Sequence, residues 1–154
     1  MARVNVGVAP CYLSDQHLIA ESVEITMITG GLRLHKYKIK GVVPSKFPMG
    51  KGHINFFKDK LLYLRNRLEA VNAEMRLRGF KPGTYIDLSE FPNELVNDWK
   101  PTMEDSKHIR ERIADRLANP LKAKKNFHRF YGKLLDDNLK PFQDRILFSD
   151  LFSL

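Results

Sequence analysis

Apolar residues recur at steps of three and four between His53 and Arg78, at Ile54, Phe57, Leu61, Leu64, Leu68, Val71 and Met75. That spacing predicts one long amphipathic helix. Gly79 falls where a left-handed C-terminal stop belongs, Phe80 can fold back on the last turn, and Pro82 bars resumption. A second helix is predicted over residues 13–27, with Ser14 or Asp15 as its cap and Leu18 and Ile25 on its buried side. A third is predicted over residues 103–118, starting after Pro101-Thr102, carrying the apolar row Ile109, Ile113 and Leu117, and ended by Pro120. Between them lie a Gly30-Gly31 break, a basic stretch from Arg33 to Lys40, a Pro/Gly-rich segment at 43–52 and a turn-rich segment at 81–101. None of these has the pattern of paired strands, and no internal repeat is visible. The expectation is a mainly α, compact single domain of about three principal helices with long loops over residues 1–135, followed by an extension over 136–154.

The chain has 154 residues, and 26 Lys plus Arg against 18 Asp plus Glu give it a net charge of +8. Such an excess favours a polyanionic partner. It is concentrated: from Lys107 to Lys133 nine basic residues face two acidic ones, a local +7, interleaved with Phe127, His128, Phe130 and Tyr131. Arg112 and Arg116 stand one helical turn apart, off the apolar row, placed to grip successive phosphates. No groove-reading signature accompanies them, so contact with the backbone rather than with base sequence is expected. The one cysteine, Cys11, excludes an internal disulfide framework and cannot by itself build a zinc site. No metal or organic cofactor is called for. No run approaches the ~20 apolar residues of a membrane span, and the first residues lack the apolar core of a secretory signal.

On the first predicted helix His17, Glu21 and Glu24 share a face, a pattern that suits a solvated stripe as well as a catalytic one. The passage Asp15-Gln16-His17-Leu18-Ile19-Ala20-Glu21, followed by Glu24, resembles the signature of the phage and bacterial pyrimidine-dimer DNA glycosylases. The resemblance starts at Ala2-Arg3-Val4-Asn5 and runs through Pro44-Ser45-Lys46-Phe47, Gly52-His53, Phe56-Phe57-Lys58-Asp59-Lys60, Arg78-Gly79-Phe80 and Trp99-Lys100-Pro101. It closes at Arg129-Phe130-Tyr131-Gly132-Lys133.

The resemblance implies a compact helical DNA-repair enzyme that removes a base and then acts as an abasic-site lyase, with the protein's own α-amino group attacking the sugar C1′ to leave a Schiff base. That amine would belong to Ala2 once Met1 is removed, and an α-amino pKa near ~7.7–8.0 leaves a usable neutral fraction. Glu24 matches the catalytic glutamate. Arg3 would sit beside the nucleophile and a phosphate, and His17 near the active site. Arg112 and Arg116 match basic residues on the DNA backbone, and Phe127, His128, Arg129, Tyr131 and Lys133 belong to the aromatic-basic segment used in dimer recognition. Phe127 and His128 there replace a tryptophan and a tyrosine of the family. Double-stranded DNA is the implied partner of a monomeric enzyme in the cytoplasm of a bacterium or a phage-infected host. A noncatalytic DNA-binding or DNA-bending protein on the same scaffold is the alternative, with an RNA-binding module more distant.

Two positions depart from the family pattern: Val23 and Met27 stand where it has arginines that clamp the kinked strand at the lesion. The tail departs as well. Residues 136–154 carry two basic and four acidic side chains and a dense apolar cluster including Leu147, Phe148, Leu151 and Phe152. Such a tail either docks on the domain or, since 148–152 resembles the acidic-hydrophobic peptides by which phage replication proteins hold a sliding clamp, tethers the protein to that partner.

Overall fold

The computed structural model describes residues 3–118, 128–135 and 139–148. The expected mainly α fold is what it shows. Five helices are present among these residues: α1 (Asp15–Leu34), α2 (His53–Phe57), α3 (Leu61–Leu77), α4 (Met103–Ala118) and α5 (Leu139–Leu147). A two-stranded antiparallel hairpin, β1 (Arg129–Phe130) and β2 (Lys133–Leu134), completes them. No described helix is long and apolar enough to cross a membrane. The residues group into two compact units, one from residues 3–4 and 20–100, the other from residues 5–19 and the described residues from 101 on.

In the first unit, α1 does not stop at the Gly30-Gly31 pair as the sequence suggests but continues to Leu34. Two helical glycines cost about 1 kcal/mol each. Continuing the helix keeps Leu32 at 0% exposure, and burying a leucine is worth about 1.5–3 kcal/mol. Continuation also lets Arg33 pair with both carboxylate oxygens of Glu90, at 2.5 and 2.9 Å. Burial and pairing together offset the glycine cost.

The single helix expected over 53–78 is instead two. Lys60, at φ −125° and ψ 46°, separates α2 from α3, although the apolar spacing runs through the break undisturbed. The cause lies far along the chain. Asn97 donates from Nδ2 to the Asp59 carbonyl at 2.8 Å and accepts the Tyr63 amide on its own carbonyl at 3.3 Å, supplying partners that helical bonds would otherwise supply. The stop at Gly79 is as expected: φ is +89° there and the Phe80 amide reaches back to the Met75 carbonyl at 2.9 Å.

In the second unit, Ser14 caps α1, its Oγ accepting the His17 amide at 3.2 Å. The helix α4 spans the predicted residues and buries Ile109, Ile113 and Leu117. The extension is docked where it is described: α5 buries Phe142 and Ile146, and Gln143 Nε2 donates to the Ala114 carbonyl at 2.9 Å. Phe148 is exposed.

Candidate active site

In the first unit the amino-terminal segment is held at consecutive residues. Arg3 Nε donates to the Met49 carbonyl at 2.6 Å, and the Val4 amide donates to His53 Nε2 at 3.1 Å. His53 Nδ1 lies 2.9 Å from the Pro48 carbonyl. A ring that accepts at Nε2 and faces a carbonyl at Nδ1 is satisfied only as the neutral Nδ1–H tautomer. It is 2% exposed and sits edge-on to Phe47 at 5.3 Å and to Phe57 at 5.2 Å. Phe56 and Trp99 join the same cluster, their rings 5.1 Å apart, and Phe47 lies 5.7 Å from Trp99. The dispersed sequence pieces around Phe47, His53, Phe56-Phe57 and Trp99 therefore meet in one aromatic core, and that core carries the ring that holds the amino-terminal segment.

Glu24 belongs to this unit and is 3% exposed on α1. Glu21, one turn before it, is committed elsewhere: Arg67 on α3 grips it bidentately, Nε and Nη2 at 2.5 and 2.9 Å from its two oxygens. A carboxylate gripped in this way ties α1 to α3. Val23 and Met27 are 51% and 57% exposed.

In the second unit His17 and His128 face one another with ring centroids 5.1 Å apart. Ser14 Oγ lies 3.1 Å from His17 Nδ1 and 3.5 Å from His128 Nδ1. Burial, reinforced by repulsion from His128, Arg112 and Arg116, pulls the His17 pKa down to about 3, and burial lowers that of His128. Four residues expected to serve DNA thus share one electrostatic environment, two as neutral imidazoles and two as half-buried guanidinium groups.

The hairpin was not legible beforehand, and it explains part of the sequence signature. Tyr131 and Gly132 have φ of +52° and +80°, the left-handed pair of a type I′ turn. Their amides donate to the two carboxylate oxygens of Asp15 at 3.1 and 2.8 Å, and the Arg129 amide donates to Gln16 Oε1 at 2.7 Å. Asp15 and Gln16 therefore grip the main chain of the hairpin, a role that residue type and local spacing did not announce. Arg129, Tyr131 and Lys133 are exposed along it. Ala2 and Phe127 lie outside the described residues.

A family model described as pyrimidine dimer DNA glycosylase matches residues 1–87, more than half of the chain. This chain belongs to the pyrimidine dimer DNA glycosylase family. The match covers the amino-terminal segment, α1 with Glu24, the loop from Phe47 to His53 and the aromatic core except Trp99. A pyrimidine dimer DNA glycosylase is an enzyme of DNA repair that cleaves a glycosidic bond, which agrees with the expected DNA partner.

Proposed function

We propose that the protein removes a damaged pyrimidine and then cuts the strand as an abasic-site lyase, with the α-amine of Ala2 as nucleophile after loss of Met1. The lone pair of the amine attacks C1′, and the bond from C1′ to the base breaks with its electrons leaving on the base, which takes up a proton. The C1′–O4′ bond then opens and a protonated Schiff base remains. Loss of a proton from C2′ expels the 3′ phosphate by β-elimination, and water releases the enzyme. Glu24 stabilises the cationic sugar and moves the protons of ring opening and elimination. The observation that supports this most is the gathering of a tied amino-terminal segment and the buried Glu24 in one compact unit.

Borohydride trapping on a duplex with a defined abasic site tests it. A covalent adduct mapped to Ala2 is expected, and Glu24→Gln should abolish strand cleavage while retaining DNA affinity. Absence of any adduct from correctly processed protein would instead assign the scaffold to noncatalytic DNA binding.

Val23 and Met27 favour a base preference that differs from pyrimidine dimers alone. Each replaces a charge-assisted phosphate contact worth about 1.5–3 kcal/mol, and each presents an apolar side chain to solvent. Restoring arginine at both positions should raise the preference for dimer-containing duplex over abasic duplex; no gain would sink this reading of substrate choice. For the chain end beyond the docked helix α5, the sliding clamp is the alternative reading to docking. Because Gln143 and Ile146 are spent on packing against α4 or burial in this unit, the informative truncation removes residues 149–154 only. It should abolish clamp capture and spare cleavage of short oligonucleotides.

A further inference from the structure

An amino terminus is ordinarily among the most mobile parts of a domain unless something ties it down. Here the tie is not a β-ladder, for the strands among the described residues are β1 and β2, and neither pairs with residues 3–5. It is a single side chain and a loop. The Val4 amide, a buried donor, finds its acceptor on His53 Nε2 forty-nine positions away. The ring is aimed by its own Nδ1–H on the Pro48 carbonyl and by the edges of Phe47 and Phe57. The next carbonyl, that of Met49, takes Arg3 Nε. Two successive loop carbonyls and one imidazole thus fix two successive residues of the amino-terminal segment.

The consequence is geometric. The nitrogen of residue 2 is two residues upstream of the Val4 nitrogen, a chain reach of about 7 Å. A nucleophile needs to come within about 3–3.5 Å of the carbon it attacks, and a displacement of about 1 Å costs roughly 100-fold in rate. We propose that His53 is a positioning residue of the reaction, holding the Val4 amide so that the α-amine works from a fixed origin. This rests on the α-amine reading above. His53 is not placed on the substrate; it acts through the main chain of Val4.

Histidine suits the task because one neutral ring offers an acceptor on one side and a donor on the other within an apolar cage. Phenylalanine at this position keeps the ring contacts and removes both hydrogen bonds. Glutamine keeps an acceptor able to reach Val4 and gives up the ring.

The test uses the full chain, with loss of Met1 verified by mass, on duplex carrying one abasic site. Single-turnover borohydride trapping at saturating protein gives the rate, and fluorescence anisotropy in the same buffer gives Kd. In His53→Phe the saturated trapping rate should fall roughly 10- to 100-fold with Kd within about threefold of wild type, and His53→Gln should recover most of the rate. A merely structural ring predicts no such split and no rescue by glutamine. Trapping by His53→Phe at the wild-type saturated rate overturns the assignment of His53 and leaves the α-amine reading intact; no adduct in the wild type overturns that reading and this inference with it. Should His53→Phe not fold, the 15N shifts of the ring in the wild-type protein decide. A protonated Nδ1 with a bare Nε2 supports the tie, and a protonated Nε2 overturns it.

Discussion

His17 takes up a proton far less readily in the fold than in the unfolded chain, where its pKa is 6.5 rather than about 3. Between those values the unfolded chain binds a proton that the folded one refuses. Stability therefore falls as pH falls through that window, by up to about 1.4 kcal/mol per pH unit for one proton. The lowered pKa of His128 acts in the same direction. Urea unfolding at pH 7 and pH 4.5 should show a smaller acid loss for His17→Asn than for wild type, and equal losses would remove His17 from the account. The neutrality of this ring was not legible in the sequence, because its burial, the main cause, arises only on folding, and His128 and the two arginines that reinforce it lie 95 to 111 positions away. Ser14 as cap was legible, since its partner is three residues on. Asp15 shows the limit most clearly: it reads as an ordinary first-turn acid, yet its carboxylate receives two amides from residues 131 and 132.

Elements followed the same division between near and far causes. The helix α4 lies where its pattern puts it because cap, apolar row and end are all local. The break between α2 and α3 escaped detection because Asn97, remote in sequence, satisfies the backbone there without disturbing the apolar spacing. The strands β1 and β2 have two residues each, too few to express an alternating pattern, and Tyr131 is an unusual occupant of a left-handed turn position. Gly30 and Gly31 look like a break and are not one. A Cβ at either would meet nothing within 4 Å, and neither has positive φ. Gly30→Ala is therefore expected to stabilise the protein by about 0.5–1 kcal/mol, chiefly by restricting the unfolded chain. A lower urea midpoint in this variant would mean that the glycine serves a purpose other than spacing.

For the molecule as a whole, the +8 charge and its concentration between Lys107 and Lys133 were the most legible feature, because charge needs no folding to be counted. What folding adds is the company it keeps: Arg112 and Arg116 stand near a neutral imidazole rather than a competing cation. Replacing either arginine by alanine should weaken duplex binding alike for every sequence and reduce the slope of log K against log salt by about 1. A loss confined to one base sequence would point to base reading instead. The proposal of Glu24 over Glu21 comes from the family resemblance alone, because spacing puts both on one face; that Arg67 sits on the Glu21 carboxylate was not legible, since it lies 46 positions away.

The loop that holds Arg3 and orients His53 does so with main-chain oxygens, those of Pro48 and Met49. Any residue carries such an oxygen. What the grip needs at those two positions is a path of the backbone, which the ring of Pro48 helps to fix and to which the side chain of Met49 adds no bond of its own in holding Arg3.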